Sequence, residues 1–500
     1  MDWTWEKAAR AMGAAPSDSP LPGLVSGVSI DSRTVARGEL FFAVRGERHD
    51  AHEFVPAALA RGAAAAVVRA ERLAEFDSAL RPRLLAVDDP LAALQRLARE
   101  WRIEWGRGAA PGGSPRRLAA VTGSVGKTTT KEILAALLGA RFRTLKSTGN
   151  LNNLFGVPLT LARLEPEHEA AVVELGMSRR GEIARLAWMA RPEVGVVTRV
   201  APVHLEFFAS LEEIAAAKRE LVEGLAGDEP VAVLNADDPH VAGFAEVIEA
   251  RGRGRVLTFG TSPEADFRAL RIEERGLEGS LLEYAGPQGR ATVSVPLLGA
   301  HNAINALAAL AAASCWGIGA EEARGALAGL APGAMRGEVL RFAAGYTLID
   351  DSYNSSPAAL AAAVGMAAHL PGFRRRILVA GEMLELGATS AQLHREAGLQ
   401  AASFGRMDWI FGVQGNAEQI LRGAAEAGHP PERQRFFADA AEAAAFLPGF
   451  LEPGDLVLLK GSRGVRLERV VEALQSAGPA QAESQPRAVT NPAGAQADRR

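Results

Sequence analysis

A chain of 500 residues is too long for one hydrophobic core, so two to four domains are expected. Its 48% hydrophobic and 23% charged residues are an ordinary balance for a soluble globular protein, and a net charge of −4 argues against nucleic-acid binding. One cysteine, Cys315, excludes an internal disulfide and a cysteine-based zinc site. The first ten residues carry Asp2, Glu6 and Lys7 and no apolar run, so no signal peptide is read there and the chain is expected to be cytoplasmic. Short apolar runs at 40–44, 64–68 and 84–87 alternate with helical patterns at 57–61 and 91–105, which predicts a smaller N-terminal α/β domain over 1–106. Residues 107–116, rich in Gly and Pro, read as a linker.

From 117 to 333 a central domain is expected. A strand at 118–122 opens onto a Gly-rich turn and a helix, and further apolar runs at 170–173, 194–197 and 231–234 are separated by helix-length segments. That alternation predicts a mostly parallel sheet with crossover helices. Residues 255–296 alternate short strands and turns, which suggests an antiparallel insertion or edge. The stretch 297–319 is apolar but contains His301, Asn302 and Asn305, so it reads as a buried helix and not a membrane span. Past Pro332-Gly333, runs at 346–349, 376–379, 409–411 and 456–459 predict a doubly wound third domain over 334–475, and 476–500 reads as a disordered tail.

Lysine is rare: of 55 basic residues only Lys7, Lys127, Lys131, Lys146, Lys218 and Lys460 are lysine. Where any cation would serve, this chain carries arginine, so the lysines are enriched for work that needs a compact ammonium or a neutral amine. Lys127 lies in Thr122-Gly123-Ser124-Val125-Gly126-Lys127-Thr128-Thr129, where a strand, a Gly-rich turn and a helix start place backbone N–H groups around an anion. Lys127 would reach the β- and γ-phosphates and the Thr128 hydroxyl would bind Mg²⁺. Glu174, in Val172-Val173-Glu174-Leu175-Gly176, ends a strand, where ligands sit in an open α/β sheet; alone it could equally be a helix N-terminal carboxylate. His204, Lys218 and the pair Asp350-Asp351 are likewise open to structural readings when taken one at a time.

The shortened loop Thr-Gly-x-x-Gly-Lys-Thr resembles that of the Mur ligase family and its relative folylpolyglutamate synthase. The resemblance implies an α/β chain of three domains: a P-loop-type central domain with a mostly parallel sheet, a Rossmann-like C-terminal domain, and an N-terminal domain for a UDP-linked precursor. It implies that Gly123, Ser124, Gly126, Lys127, Thr128 and Thr129 cradle ATP. Glu174 and His204 would serve a metal ion, and Lys218 would be carbamylated by CO₂ to hold a second Mg²⁺. His301-Asn302-Ala303-Ile304-Asn305 resembles the family's H-N-x-x-N segment, with Asn302 and Asn305 near the adenine. Arg336 and Asp351 would reach ATP from the last domain.

Asp350-Asp351-Ser352-Tyr353-Asn354, Thr148-Gly149-Asn150-Leu151-Asn152-Asn153, Glu385-Leu386-Gly387 and Lys460-Gly461-Ser462-Arg463 resemble one branch, which adds D-alanyl-D-alanine to UDP-N-acetylmuramoyl-tripeptide. The resemblance carries substrate contacts onto Asn150, Asn152, Asn153, Asp350, Tyr353 and Asn354. Asp31-Ser32-Arg33 and the segment 46–52 would serve the uridine end, with Ser32 and Arg33 as contacts. The implied reaction is ATP-dependent formation of an acyl phosphate followed by attack of the dipeptide amine, with closure of the domains around ATP. A monomer is expected. Two alternatives stand beside this: a related ligase with another acceptor, such as the one adding the third amino acid, and a P-loop switch or kinase. The D-N-P-R segment typical of the former is missing from this sequence.

Overall fold

The computed structural model describes residues 3–14, 23–46, 49–108, 113, 115–202, 206–478 and 480–481. Among them the strands form three sheets. The first joins β1 (Gly27–Ser29), β2 (Glu39–Phe42), β3 (Ala65–Arg69) and β4 (Leu84–Val87), in that order and all parallel.

The second sheet comprises β5 (Arg117–Thr122), β6 (Thr144–Lys146), β7 (Ala170–Glu174), β8 (Val194–Val197), β9 (Val231–Asn235), β10 (Arg255–Gly260), β11 (Phe267–Glu274), β12 (Ser280–Gly286) and β13 (Gly289–Val295). They lie in the order 13-12-11-10-9-8-5-7-6. Strands β5, β7, β8 and β9 are buried along their whole length except for Arg117, which is why they read as unbroken apolar runs and not as alternation. β10 pairs parallel with both β9 and β11, so the parallel sheet runs on into the segment that its alternation suggested was antiparallel.

The third sheet holds β14 (Glu338–Phe342), β15 (Thr347–Asp350), β16 (Arg375–Gly381), β17 (Trp409–Val413), β18 (Gln434–Phe437), β19 (Asp455–Lys460) and β20 (Ala480–Gln481). The order is 18-17-16-19-15-14-20, parallel except at β14, which is antiparallel to β15 and β20. After β16 the chain continues to β17 on one side; after β19 it returns toward β20 on the other. The carboxyl ends of β16 and β19 therefore flank the switch point of a doubly wound sheet. Gln481 pairs with Arg341, so described chain continues past the helix ending at Ala477; 482–500 lie outside the described residues.

The chain divides into two compact units. One contains the chain up to Ile272 with Leu282–Val293 and Asn302–Arg324; the other contains Glu273–Leu281, Ser294–His301 and the chain from Gly325 onward. In the first unit a single hydrophobic cluster runs from Trp3 to Ile248, through the helix Pro90–Arg107. Asp89 caps that helix by accepting the Leu91 N–H at 2.9 Å, and Pro90 occupies its first turn. Trp101 donates from its indole to the Leu164 carbonyl, and buried Arg102 donates to Ala190 and Glu193, tying the helix to the second sheet. Among the described residues no helix is long and apolar enough to cross a membrane, and Ala300–Ala313 is a helix with a buried alanine-leucine face.

Candidate active site

The loop between β5 and the helix Lys127–Gly139 is shaped by what surrounds it. Gly123 has φ +144°, and a Cβ there would come within 2.0 Å of Thr198 Oγ1. Gly126 has φ +83°, and its Cβ would lie 2.4 Å from Asn305 Oδ1. Both positions therefore need glycine for conformation and for space. The segment 198–201 after β8 holds the loop's other face. Ser124 donates its N–H to the Arg199 carbonyl at 2.6 Å, and its Oγ both donates to and accepts from Ala201. Thr198 Oγ1 donates to the Val125 carbonyl at 2.6 Å. Lys127, first residue of the helix, donates to the Ser124 carbonyl at 3.2 Å. The result is a hydrogen-bonded glycine loop at a helix N-terminus, a geometry suited to an anion.

Thr128 donates its hydroxyl to Glu174 Oε2 at 2.7 Å, and Asn152 Nδ2 donates to Oε1 at 2.8 Å. Glu174 is 3% exposed and its own N–H is accepted by Ser147 Oγ. Asn152 thus reaches the carboxylate that the sequence pointed to, while Asn150 is exposed and Asn153 caps the next helix by accepting the Phe155 and Gly156 N–H groups. Asn302 accepts from Asn305 Nδ2 at 3.1 Å, so the H-N-x-x-N helix meets the phosphate loop through Asn305. Thr129 is half-buried in the first turn of the loop's helix.

Lys218 lies on the helix Leu211–Glu223, capped by Ser210, whose Oγ accepts the Glu213 N–H. Residues Ile214, Ala217, Lys218 and Leu221 form the buried stripe of that helix at 3–4 spacing, which carries the Lys218 amine inside to 1% exposure. Burial drives its pKa well below the ordinary lysine value; the charge of Lys127 adds to the shift, against the pull of Glu174, Glu220 and Glu182. Glu220 anchors the same helix by accepting the Gly181 and Ala184 N–H groups at 2.8 and 2.9 Å. His204 lies outside the described residues. Among the described residues no three His, Cys, Asp or Glu side chains cluster to hold a metal.

Within the second unit, the Arg336 guanidinium stacks 4.0 Å above the Tyr353 ring. Asp350 is buried and accepts from Ser352, and burial pushes its carboxyl above the usual range. Asp351 faces the buried ammonium of Lys460 at 2.9 Å, and Lys460 also donates to the Asp351 and Asn354 carbonyls. Asn354 is exposed and accepts the Ser355 N–H. In the first sheet's domain, Arg33 is exposed and forks onto Asp31 beside half-buried Ser32, holding the Asp31 carboxyl at about 2. A cavity of 370 Å³ in the same domain is lined by Arg45, Asp50, Arg69, Glu71, Arg72 and Glu75. Burial raises the Asp50 carboxyl, but hydrogen bonds from His52 and the charge of Arg72 outweigh it and leave it below the usual range. Ser147 and Lys131 carried no signal of this site in the sequence beyond the rarity of lysine.

Comparison with known proteins adds the decisive observation. The family model described as "Mur ligase middle domain" matches residues 121–313, "Mur ligase, glutamate ligase domain" matches 335–463, and "Mur ligase family, catalytic domain" matches 24–102. The chain belongs to the Mur ligase family. Among relatives within it, the UDP-N-acetylmuramoyl-tripeptide–D-alanyl-D-alanine ligase of Escherichia coli (strain K12) is 37% identical, over 90% of this chain and 94% of the relative. The ligase of the same name from Bacillus subtilis (strain 168) is 33% identical, over 90% of this chain and 93% of the relative. A crystal structure of MurF from Acinetobacter baumannii superposes with a TM-score of 0.84 at 30% identity, covering 95% of this chain and 99% of that one. MurF from Thermotoga maritima in complex with ADP gives 0.75 at 29% identity, covering 91% and 98%. A Mur ligase of this kind is an α/β protein of three domains with mostly parallel sheets, as this chain is.

Proposed function

We propose that this chain is an ATP-dependent amide-forming ligase that adds D-alanyl-D-alanine to UDP-N-acetylmuramoyl-tripeptide by way of an acyl phosphate. The observation that carries the reading is the glycine loop at a helix N-terminus whose Thr128 touches the buried carboxylate Glu174, in a chain aligned over 90% of its length with ligases of that name. A carboxylate is a poor electrophile, so the tripeptide carboxylate first attacks the γ-phosphorus of ATP and ADP leaves. The dipeptide amine then adds to the acyl carbon, its nitrogen gives up a proton, and phosphate leaves with the bond electrons and takes up a proton, as HPO₄²⁻.

Both reactants of the first step are anions, so this chain's work is to gather positive charge and fix geometry. Lys127 and the N–H groups at the start of its helix would hold the transferring phosphates. By resemblance, Asn302 and Asn305 would border the base. Thr128 and Glu174 fit Mg²⁺, because a hydroxyl and a buried carboxylate that accepts from Thr128 and Asn152 form a hard oxygen set. When bound, the ion neutralises phosphate charge. The buried amine of Lys218, favoured in its neutral form, suits it to react with CO₂, giving a carbamate and releasing a proton. His204, by resemblance, would stand beside that group.

Phosphate release measured with ATP and UDP-N-acetylmuramoyl-tripeptide, with and without D-alanyl-D-alanine, tests the reaction. Release is expected to depend on the dipeptide, to be lost in Lys218→Ala, and to return in part on adding short carboxylates. Turnover without the dipeptide rejects the acceptor; an unaffected Lys218→Ala rejects the carbamate.

A further inference from the structure

We propose that Lys131 is a positioning residue that fixes Glu174 against Thr128. Lys131 lies one turn after Thr128 on the phosphate-loop helix, so both face the same neighbour. Its ammonium is 1% exposed and donates to the Ser147 carbonyl at 2.8 Å. Ser147 follows β6, donates its N–H to the Val172 carbonyl at 3.0 Å, and accepts the Glu174 N–H on its Oγ at 3.1 Å. Two links therefore run from the helix that carries Thr128 to the backbone that carries Glu174. The carboxylate is held at its base through Ser147 and at its head by Thr128 and Asn152.

A buried ammonium is costly unless its charge is met. Here Glu132 meets it at 2.7 Å and also pairs at 2.5 Å with Lys146, the last residue of β6 and the neighbour of Ser147. Burial raises the Glu132 carboxyl, but hydrogen bonds from Lys131 and Lys146 outweigh it, so it stays ionised. Helix and strand are thereby clamped at the side chain and at the backbone together. That lysine is kept here, in a chain with six lysines among 55 basic residues, fits a site where the Ser147 carbonyl and the Glu132 carboxylate meet at one nitrogen. The proposal rests on the reading of Thr128 and Glu174 as the Mg²⁺ side of the nucleotide site.

The test is ADP binding to the full chain by calorimetry, in Mg²⁺ and in EDTA, with no acceptor present. For Lys131→Met the affinity in Mg²⁺ is expected to fall about tenfold, the size of one charge-assisted hydrogen bond, and by less than about twofold in EDTA. Ser147→Ala breaks the second link without touching the buried charge, so it carries the test if Lys131→Met does not fold, and the same Mg²⁺-specific loss is expected. In phosphate release, the half-saturating Mg²⁺ should rise while KM for the UDP-linked substrate stays put. Equal losses in Mg²⁺ and EDTA, or none, overturn the proposal. Wild-type ADP affinity that ignores Mg²⁺ would instead reject Thr128 and Glu174 as the metal side, and this proposal with it.

Discussion

Replacing Gly126 with alanine tests the shape of the phosphate loop directly. Gly126 sits at φ +83°, in the left-handed region, where an L side chain costs about 1–2 kcal/mol. Its new methyl would stand 2.4 Å from Asn305 Oδ1, so Asn305 must swing away and give up its hydrogen bond to Asn302, about 1 kcal/mol more. The total, about 2–3 kcal/mol, corresponds to a loss of roughly 30- to 150-fold in nucleotide affinity if the loop relaxes on release of the ligand site. Calorimetric ADP affinity and KM for ATP should both register it, with KM for the UDP-linked substrate little changed. Asn305→Ala removes the clash but not the strain. The double variant should therefore be about 1 kcal/mol less impaired than the sum of the single ones. A Gly126→Ala enzyme within threefold of wild type, or strict additivity with Asn305→Ala, would refute the packing of Asn305 on this loop.

Two further outcomes follow from buried polar groups elsewhere. Arg102 is buried and serves the Ala190 and Arg191 carbonyls and both oxygens of Glu193, so Arg102→Met should cost about 3 kcal/mol in urea unfolding. Glu193→Gln added to it should recover part of that; a loss below about 1 kcal/mol would mean the tie is not structural. His394 is buried with Nδ1 toward the Ser390 carbonyl and Nε2 accepting the Met383 N–H, which requires a neutral ring. Burial lowers its pKa below the ordinary value of 6.5, against the Ser390 bond and the negative charge of Glu382. Its contribution is thus full above pH 6.5 and is lost as pH falls, because the unfolded chain takes up the proton first. The stability gap between wild type and His394→Gln should shrink from pH 7.5 to 5.5; a constant or widening gap counts against this assignment.

What proved legible in the sequence is local geometry written in contiguous residues. Residues 122–129 announce an anion loop because strand, glycines, lysine and helix start follow one another, and neither partner nor register must be known. The apolar runs of β5, β7, β8 and β9 were equally plain, since strands covered on both faces need no alternation. Legibility failed where pairing decides. Residues 255–296 read as an antiparallel insertion or edge; they do form the sheet's edge, yet β10 pairs parallel with β9 and with β11. β20 is two residues, Ala480 and Gln481, with no pattern to read. The contact between Lys131 and Ser147 spans 16 positions and depends on the register that sets Lys146 opposite Val172. Asn152 looked like a substrate contact in its motif, and only folding brings its amide onto Glu174.

The rarity of lysine bridges part of that gap, and buried cations show why. Arg102 meets acceptors spread over two carbonyls and a carboxylate, an arrangement suited to a planar fork. Lys460 meets the Asp351 carboxylate and the Asp351 and Asn354 carbonyls at a single nitrogen, and Lys131 converges in the same way on Ser147 and Glu132. Acceptors gathered around one point, three at Lys460 and two at Lys131, match the N–H bonds of a single ammonium better than the spread donors of a guanidinium. A bias that writes arginine almost everywhere is thus resisted where the acceptors converge, as at Lys131 and Lys460. Lys131, Lys218 and Lys460 are at most 4% exposed.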